Sequence, residues 1–399
     1  MSAARYGAAR DASADSTHAF QKAIEDCSAK GGGHVVVPAG VYSTGAIRLR
    51  SNVDLHLDAG AVVRFNGRED LYPLVLTRYA GIECVNRSPL VYAYGETNIA
   101  LTGAGVLDGS QTGAWNRGGD FEHVLEPLVA EGLPPDQRIV PRHGSLRSSF
   151  VEPYACTNVL ISGVRLTGSL FWQLHPTLCQ SVTIDGVTTG GTTAFNSDGC
   201  DPESCDHVVI RNCTFDGADD SIAIKAGRDA DGRRVNVPCQ NIVIQNCAMQ
   251  GPSGAIACGS EMTGGIRNVY VFNVRTYGSG TAFVLYVKSN TRRGGYAQNI
   301  NLDHVEARNT AHAWAFAEMR YQGQTGTYPP LFSDWSIAGC HGDTAPYAFE
   351  LVGLPADVIR DIRVSNSTFA NIAHPEGGNQ NVSNITFENV TVNGTSLTA

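Results

Sequence analysis

Three aspartates are the residues of this chain best suited to chemistry: Asp198, within Asn-Ser-Asp-Gly, and the adjacent pair Asp219 and Asp220. Carboxylates that lie close together repel one another, which favours one protonated member among ionised neighbours. Such a group can protonate a leaving oxygen and activate a water, as acid–base cleavage of a sugar bond requires. A single Asp more often caps a turn, but three converging carboxylates favour a catalytic function.

A repeat predicts how the chain brings these aspartates together. Each unit has the pattern apolar-x-apolar after a polar residue, most often Asn. The units recur at irregular intervals and end at Leu55, Leu101, Ile161, Ile184, Ile210, Ile244, Val271, Leu302, Ile337, Val364 and Phe387. Stacked parallel strands need such a ladder, because like side chains lie about 4.8 Å apart on neighbouring turns. The sequence therefore predicts an all-β fold, a right-handed parallel β-helix forming a single domain over residues 1–399.

Two segments depart from the repeat. Residues 15–29 predict an amphipathic capping helix, with Asp15 or Ser16 as N-cap and with Phe20, Ile24 and Cys27 on its buried face. Such a cap would close the exposed end of the solenoid. Residues 110–150 form a Gly- and Pro-containing insertion, which we expect to line a cleft because insertions of this length are usually functional.

A second strand in each unit predicts the register of the site. Its segments are Phe171–His175, Ser221–Lys225, Gly254–Cys258, Phe283–Lys288 and Trp314–Glu318. Placing Lys225, Gly259 and Lys288 in one column sets Asp198 beside Asp220. Side chains alternate between the two faces of a strand, so Lys225, Tyr286 and Lys288 are expected to point outward. Glu318 and Arg320, one coil further on, are expected to form a surface ion pair.

The segment from Asn158 to Asn290 resembles glycoside hydrolase family 28, the polygalacturonases, and in particular their exo-acting bacterial branch. The strings that carry the resemblance are Phe171–Pro176, Asn196–Ser204, Ala218–Lys225, Gly227–Arg233 and Gly259–Gly265. The resemblance implies inverting hydrolysis of an α-galacturonide. It also implies that Asp219 is the general acid and that Asp198 and Asp220 hold and deprotonate water. No cofactor and no metal are expected.

Two departures from the family pattern affect substrate recognition. The family has a His-Gly string near the acid, where this chain has Pro252 and Ser253, and an Arg-x-Lys clamp, where it has Tyr286-Val-Lys288. Arginine binds a carboxylate through a bidentate fork, which tyrosine does not provide. A neutral or deoxy sugar is therefore expected in the leaving-group subsite. The predicted substrate-binding residues are Lys288, Tyr286, Ser253, His175 and Lys225.

Composition limits the partners. The net charge of −9 argues against nucleic acid, and the chain lacks a run of about 18 apolar residues that would predict a membrane span. The eleven cysteines show no paired metal spacing, and reduced thiols are favoured over a Cys200–Cys205 disulfide. A cytoplasmic location is expected unless a leader was removed. The expected partner is an oligosaccharide or small-molecule substrate, and the sequence does not indicate an oligomeric state.

Three alternatives to a hydrolase remain open at this stage. A cyclase, epimerase or dehydratase acting on a small metabolite would keep the scaffold and the carboxylates but not the reaction. A β-helix lyase would hold Ca²⁺ through Asp198, Asp201, Asp219 and Asp220. A purely binding protein would not need three converging carboxylates.

Overall fold

This computed structural model describes residues 1–116, 118, 121–277 and 280–397. They form two compact units, Met1–Ser197 and Asp198–Ala399. Each unit is built from the stacked parallel strands of a β-helix, as the repeat predicts. The expectation of one continuous domain stays a prediction.

The first unit consists mainly of strands, and the α-helices of its described residues lie in the predicted cap and in the insertion. These helices are α1 (Thr17–Ala29), α2 (Phe121–Val124) and α3 (Glu126–Ala130), with 3-10 turns at Ala3–Tyr6, Glu69–Leu71, Ser110–Ala114, Pro135–Gln137 and Val140–Arg142. The strands are β1 (Asp11–Asp15), β2 (Gly33–Val37), β3 (Gly40–Thr44), β4 (Ile47–Arg48), β5 (Val53–Leu57), β6 (Ala61–Phe65), β7 (Leu74–Tyr79), β8 (Ile82–Arg87), β9 (Val91–Tyr94), β10 (Thr97–Gly103), β11 (Val106–Asp108), β12 (Val151–Tyr154), β13 (Thr157–Ser162), β14 (Arg165–Thr167), β15 (Gln180–Asp185) and β16 (Thr188–Gly190).

The second unit also consists mainly of strands. It contains one α-helix of the described residues, α4 (Asp229–Val235), and a 3-10 turn at Tyr321–Gly323. Its strands are β17 (Asp206–Arg211), β18 (Thr214–Phe215), β19 (Ile222–Ile224), β20 (Cys239–Gln245), β21 (Ala248–Met249), β22 (Gly254–Gly259), β23 (Ile266–Thr276), β24 (Phe283–Lys288), β25 (Tyr296–Ala307), β26 (Ala313–Glu318), β27 (Leu331–Ala338), β28 (His341–Gly342), β29 (Tyr347–Val352), β30 (Ile359–Phe369), β31 (Val382–Val392) and β32 (Thr395–Ser396).

In the first unit, strands β2, β5, β10, β13 and β15 pair in parallel. Their register aligns Leu55 with Leu101, Leu101 with Ile161, and Ile161 with Ile184, which confirms the predicted ladder there. Helix α1 buries Phe20, Ile24 and Cys27, as predicted. Ser16 occupies the N-cap position, while a carboxylate oxygen of Asp15 accepts the amide hydrogen bond of Thr17 at 3.1 Å.

The insertion is a packed segment of short helices. Residues Leu125, Leu128 and Val140 join a buried cluster with Tyr79 and Ile82 of the β7–β8 hairpin. Burial of this apolar surface holds the segment in place. Residues 117, 119 and 120 of the insertion lie outside the described residues. That the insertion lines a cleft stays a prediction.

In the second unit, the ladder runs through β17, β20, β23, β25, β27, β30 and β31. The predicted positions are in register from Ile210 through Ile244, Val271, Leu302, Ile337 and Val364 to Phe387. Each ladder residue from Ile210 to Val364 is buried. Stacked β-branched and leucine side chains thus form the core of this unit, as the repeat predicts.

Several strands of this ladder contain an asparagine just before the apolar-x-apolar segment, and this asparagine has a conformational function. Asn241, Asn268 and Asn299 have φ values of 57°, 57° and 53°, in the left-handed region that Asn tolerates better than most residues. The side-chain amide of Asn268 donates to Asn241 at 2.9 Å, and that of Asn299 donates to Asn268 at 2.9 Å. The repeat therefore contains Asn because one residue both turns the backbone and links neighbouring coils.

A second sheet of this unit, β19-β22-β24-β26-β29, carries the site. Its register pairs Ile224 with Cys258 and Gly259 with Lys288, which confirms the predicted Lys225–Gly259–Lys288 column. The sheet extends one strand beyond the prediction, to β29. In the first unit, by contrast, the strand predicted at 171–175 is wrong: Leu174 makes only an isolated bridge with Val151. There the rings of Phe171 and Trp172 stack instead.

All eleven cysteines lie in the described ranges and are buried, and no disulfide joins any of them. Among the described residues, no helix is long and apolar enough to cross a membrane.

Candidate active site

Asp198, Asp219 and Asp220 converge in the second unit. One carboxylate oxygen from each lies within 4.8 Å of the others. The backbone sets this arrangement, because Cys200 bridges to Ile222 and the amide of Gly199 donates to the carbonyl of Asp220 at 3.0 Å. The predicted neighbouring of Asp198 and Asp220 on adjacent coils is thereby confirmed.

Asp220 is held as a buried anion. Its Oδ2 accepts a hydrogen bond from the ammonium of Lys288 at 2.9 Å, and its Oδ1 accepts the amide of Gly254 at 2.6 Å. Ser253, at the place of the family's His, helps to lower the pKa of this carboxylate. Burial alone would raise the pKa of Asp220, but the charges of Lys288 and Lys225 outweigh burial and hold the pKa below its usual value.

The other two carboxyls are held toward the protonated form. Burial, together with repulsion from Asp219, raises the pKa of Asp198 well above its ordinary value. Burial and repulsion from Asp220 likewise raise the pKa of Asp219. The Oδ1 of Asp198 is buried and accepts no hydrogen bond from the described residues. The trio therefore combines one ionised carboxylate with two carboxyls that bind a proton more readily.

Glu261 organises the positive charge beside the trio. It lies 3.1 Å from the ammonium of Lys225, 3.3 Å from Arg293 and 3.8 Å from Arg228. Although burial opposes the charge, these three cations hold the pKa of Glu261 well below its usual range. No function was predicted for Glu261 from the sequence, although the string Gly259–Gly265 contains it and Gly259 lies in the Lys225 column. The position of Glu261 two residues after Gly259 was the feature of the sequence that could have placed it near Lys225.

Lys225, a predicted substrate-binding residue, is itself buried. Its ammonium is 3.9 Å from Asp201 and 3.1 Å from Glu261. Burial disfavours its charge, but Glu261 and Asp198 raise the pKa of Lys225 above its usual value. These contacts favour an electrostatic effect on the trio over direct contact with a substrate.

Tyr286 lies on the outer face of the second sheet, as predicted. Its hydroxyl donates to Glu318 at 3.1 Å, and its ring packs against Phe283 and Phe316 at centroid distances of 4.3 and 5.5 Å. The ammonium of Lys288 lies 4.1 Å from the ring centroid, a cation–π contact.

The predicted surface ion pair of Glu318 with Arg320 is wrong. Register pairs Lys288 with Glu318 on neighbouring strands, so the Glu318 side chain reaches Tyr286 across the coils. Arg320 follows the end of β26 and is exposed.

His175 is fully buried inside the first unit. Its Nδ1 lies 2.9 Å from the hydroxyl of Ser149, and its Nε2 lies 3.1 Å from that of Thr177. A carboxylate oxygen of Glu152 is 3.7 Å from Nδ1. This burial argues against the predicted contact with substrate, because both ring nitrogens face protein groups. The alternating pattern of the segment did not reveal that its outer side is covered.

The close oxygens of the trio are also spaced closely enough to hold a metal ion. The four-carboxylate set proposed for a lyase is not assembled as a whole, because Asp201 lies outside the group that meets within 4.8 Å. The carboxylate of Asp201 is buried, and its described ion pair is with Lys225 at 3.9 Å. Lys288 and Lys225 already supply positive charge beside the trio.

Comparison with known proteins shows the family of this chain. Residues 139–339 match the sequence model of the glycosyl hydrolases family 28. The chain is 26% identical over 388 residues to a probable polygalacturonase of Vitis vinifera, covering 91% of this chain and 72% of the relative. It is 24% identical over 405 residues to an exo-poly-alpha-D-galacturonosidase of Dickeya chrysanthemi, covering 92% of this chain and 66% of the relative.

A solved structure is more similar still. The crystal structure of a hyperthermoactive exopolygalacturonase from Thermotoga maritima is 35% identical and superposes with a TM-score of 0.91, covering 100% of this chain and 92% of that one. The matched family segment, just over half of the chain, contains Asp198, Asp219, Asp220 and Lys288. On this evidence the chain belongs to glycosyl hydrolase family 28.

Proposed function

We propose that this family 28 glycosidase hydrolyses a glycosidic bond at the end of a pectin-related oligosaccharide, with inversion, using Asp219 as acid and water activated by Asp198 and Asp220. The observation that carries the proposal is the close trio in which Asp220 alone has a lowered pKa while the other two pKa values are raised. Acid–base hydrolysis of a sugar bond needs one protonated carboxyl as the acid and one ionised carboxylate as the base.

The proton balance follows from these opposed states. Asp219 gives its proton to the leaving oxygen as the bond from that oxygen to the anomeric carbon breaks. Water forms the new bond to the anomeric carbon and gives its proton to Asp220. Lys288, 2.9 Å from Asp220, keeps this base ionised beforehand. Asp198 is proposed to orient the water through its Oδ1, which accepts no hydrogen bond from the described residues.

The proposal of inversion is supported by family membership rather than by the distance between the carboxyl groups. In a typical inverting site the two carboxyl groups are about 6.5–9.5 Å apart. The nearest oxygens of this trio lie within 4.8 Å, a measure that is shorter than the separation of whole carboxyl groups. Proton NMR of the first product tests the stereochemistry: an α-linked substrate should give the β-anomer first, and initial formation of the α-anomer would contradict inversion.

Exo action and a pectin-related substrate are supported by the relatives. The similar proteins from Dickeya chrysanthemi and Thermotoga maritima are named as an exo-poly-alpha-D-galacturonosidase and an exopolygalacturonase. The direct test is product analysis against a panel of pectic oligosaccharides. Single sugars should appear from the first time point, and Asp219→Asn should abolish the release of reducing sugar. If the wild-type protein releases none from any member of the panel, the proposal fails.

The alternative of a cyclase, epimerase or dehydratase has no support among these relatives. A lyase would be recognised in the same panel, since its products are unsaturated and absorb ultraviolet light, and its activity would be lost on adding a chelator.

A further inference from the structure

The outer face of the second sheet carries an aromatic surface beside the catalytic trio. The rings of Phe283 and Phe316 stack at 4.9 Å with an interplanar angle of 17°, and Tyr286 packs against both. We call Phe283, Tyr286 and Phe316 the aromatic platform. Phe283 and Phe316 are partly open to solvent, whereas only 7% of Tyr286 is exposed.

The platform lies close to the base. Asp220 hydrogen-bonds to the amide of Gly254, and a Cβ placed on Gly254 would lie 2.9 Å from Oδ1 of Asp220 and 3.2 Å from the Cβ of Tyr286. On the two coils before Tyr286, the outward positions are Ala223 and Ala257, which pack against it. Both alanines are fully buried, so the part of the platform open to a sugar ring is formed by Phe283 and Phe316.

The polar groups on the platform do not suit a carboxylate. The Tyr286 hydroxyl is already bonded to the Glu318 carboxylate at 3.1 Å. Glu350 follows Phe316 in the register and adds further negative charge beside Glu318. Lys288, the cation that lies over the Tyr286 ring, is engaged with Asp220 at 2.9 Å. The imidazole of His312 is bonded to Glu350.

From this arrangement we infer that Tyr286 and Glu318 determine specificity, and that the sugar on the aromatic platform is neutral, with no carboxylate. Its hydroxyls donate to Glu318, and its apolar face lies on the rings. A uronate in the same place brings its charge toward the carboxylates of Glu318 and Glu350, while Lys288 is already paired with Asp220, which costs affinity. This inference rests on the proposed function, since it concerns one sugar next to the scissile bond of that hydrolase.

The test compares two substrates of equal length, one made only of uronate and one in which uronate alternates with a neutral deoxy sugar. We expect kcat/KM to be at least about tenfold higher for the alternating oligomer, equivalent to about 1.4 kcal/mol. Glu318→Gln removes the negative charge but keeps the shape, so kcat/KM for the all-uronate oligomer should rise about tenfold relative to wild type. Glu306→Gln, which removes an exposed carboxylate from β25, is the matched control and should leave both values unchanged.

The possible results distinguish failure of this inference from failure of the hydrolase proposal. Equal or better cleavage of the all-uronate oligomer by wild type overturns this inference and leaves the hydrolase proposal standing. Cleavage of neither oligomer overturns the hydrolase proposal itself. If Glu318→Gln melts well below wild type, Tyr286→Phe replaces it, because that variant keeps the ring packing and removes only the hydroxyl bonded to Glu318. An unchanged ratio of the two kcat/KM values in Tyr286→Phe also overturns the inference.

Discussion

Lys288 and Asp220 form a buried ion pair in which the ammonium nitrogen lies 2.9 Å from Oδ2 and the two side chains are 8% and 1% exposed. The two residues are 68 positions apart in the chain. The pair joins the strand that bears Lys288 to the loop before β19. A buried charge needs a partner of opposite sign, so this contact explains how Asp220 remains ionised among other carboxyls.

Replacement of Lys288 by methionine tests this relationship. The variant keeps the length of the side chain and removes its charge, so the pKa of Asp220 should rise and the base should be protonated over more of the pH range. We expect kcat to fall by about 100-fold or more and the acid limb of the pH–rate profile to move to higher pH. Lys22→Met, at an exposed position on α1, is the control. An unmoved acid limb would show that Lys288 does not set the ionisation of Asp220.

The pH–rate profile of the wild type should be bell-shaped, with its alkaline limb set by Asp219. This acid is active while protonated, and burial and repulsion from Asp220 raise its pKa. Activity is therefore present below that raised pKa and lost as the pH rises through it. The acid limb is set by Asp220, which is active while ionised. Activity is therefore lost as the pH falls through the lowered pKa of Asp220. Measurement of kcat/KM against pH would contradict the assignment if activity were already lost above about pH 4, the ordinary value for Asp.

Glu261→Gln should destabilise the protein strongly. The substitution leaves Lys225, Arg228 and Arg293 buried without the anion that now lies 3.1–3.8 Å from them. Removing one partner of a buried ion network costs about 3–5 kcal/mol, which urea unfolding can measure. Glu388→Gln, which breaks an exposed pair with Arg363, should change the free energy of unfolding little.

The contribution of Glu261 to the free energy of unfolding should depend on pH. The pKa of Glu261 is depressed in the folded state, so its stabilising contribution is present above the unfolded pKa of about 4.3 and is lost as the pH falls below it. The difference in unfolding free energy between wild type and Glu261→Gln should therefore shrink in acid. A difference that does not change between pH 7 and pH 3 would contradict this.

Substitutions of Asn268 test the function of the asparagines that link neighbouring coils. Its φ of 57° is strained for alanine but not for glycine, and its side chain both donates to Asn241 and accepts from Asn299. Asn268→Gly should lose only the hydrogen bonds, at about 1–2 kcal/mol. Asn268→Ala should lose the bonds and add about 1 kcal/mol of backbone strain. Thermal unfolding should rank wild type above the Gly variant and the Gly variant above the Ala variant. Equal stability of the two variants would rule out the strain.

The coils were predictable because their signal is local and repeated. Each unit has a polar residue followed by alternating apolar positions, and stacking like residues on like leaves a single register that buries the ladder from Ile210 to Val364. The same register carried Lys225, Gly259 and Lys288 into one column and Asp198 beside Asp220. The left-handed backbone at Asn268 was not predicted, although the Asn that marks most units was visible.

The errors arose where side chains from different coils compete for partners. Glu318 was expected to pair with a neighbour in sequence, yet it reaches Tyr286 on the adjacent strand. His175 was expected at a sugar, yet protein groups cover it. Alternation along a strand shows which way a side chain points, but it does not show what lies beyond it.

The sequence by itself therefore determined the β-helix coils, their register and the identity of the three aspartates, because repetition and alternation act over a few neighbouring residues. Only the tertiary structure decided the protonation of those aspartates. Lys288 lowers the pKa of Asp220, while burial and like charges raise the pKa values of Asp198 and Asp219. The ionisation of a carboxyl depends on desolvation and on charges within a few ångströms, and residues from several coils supply them.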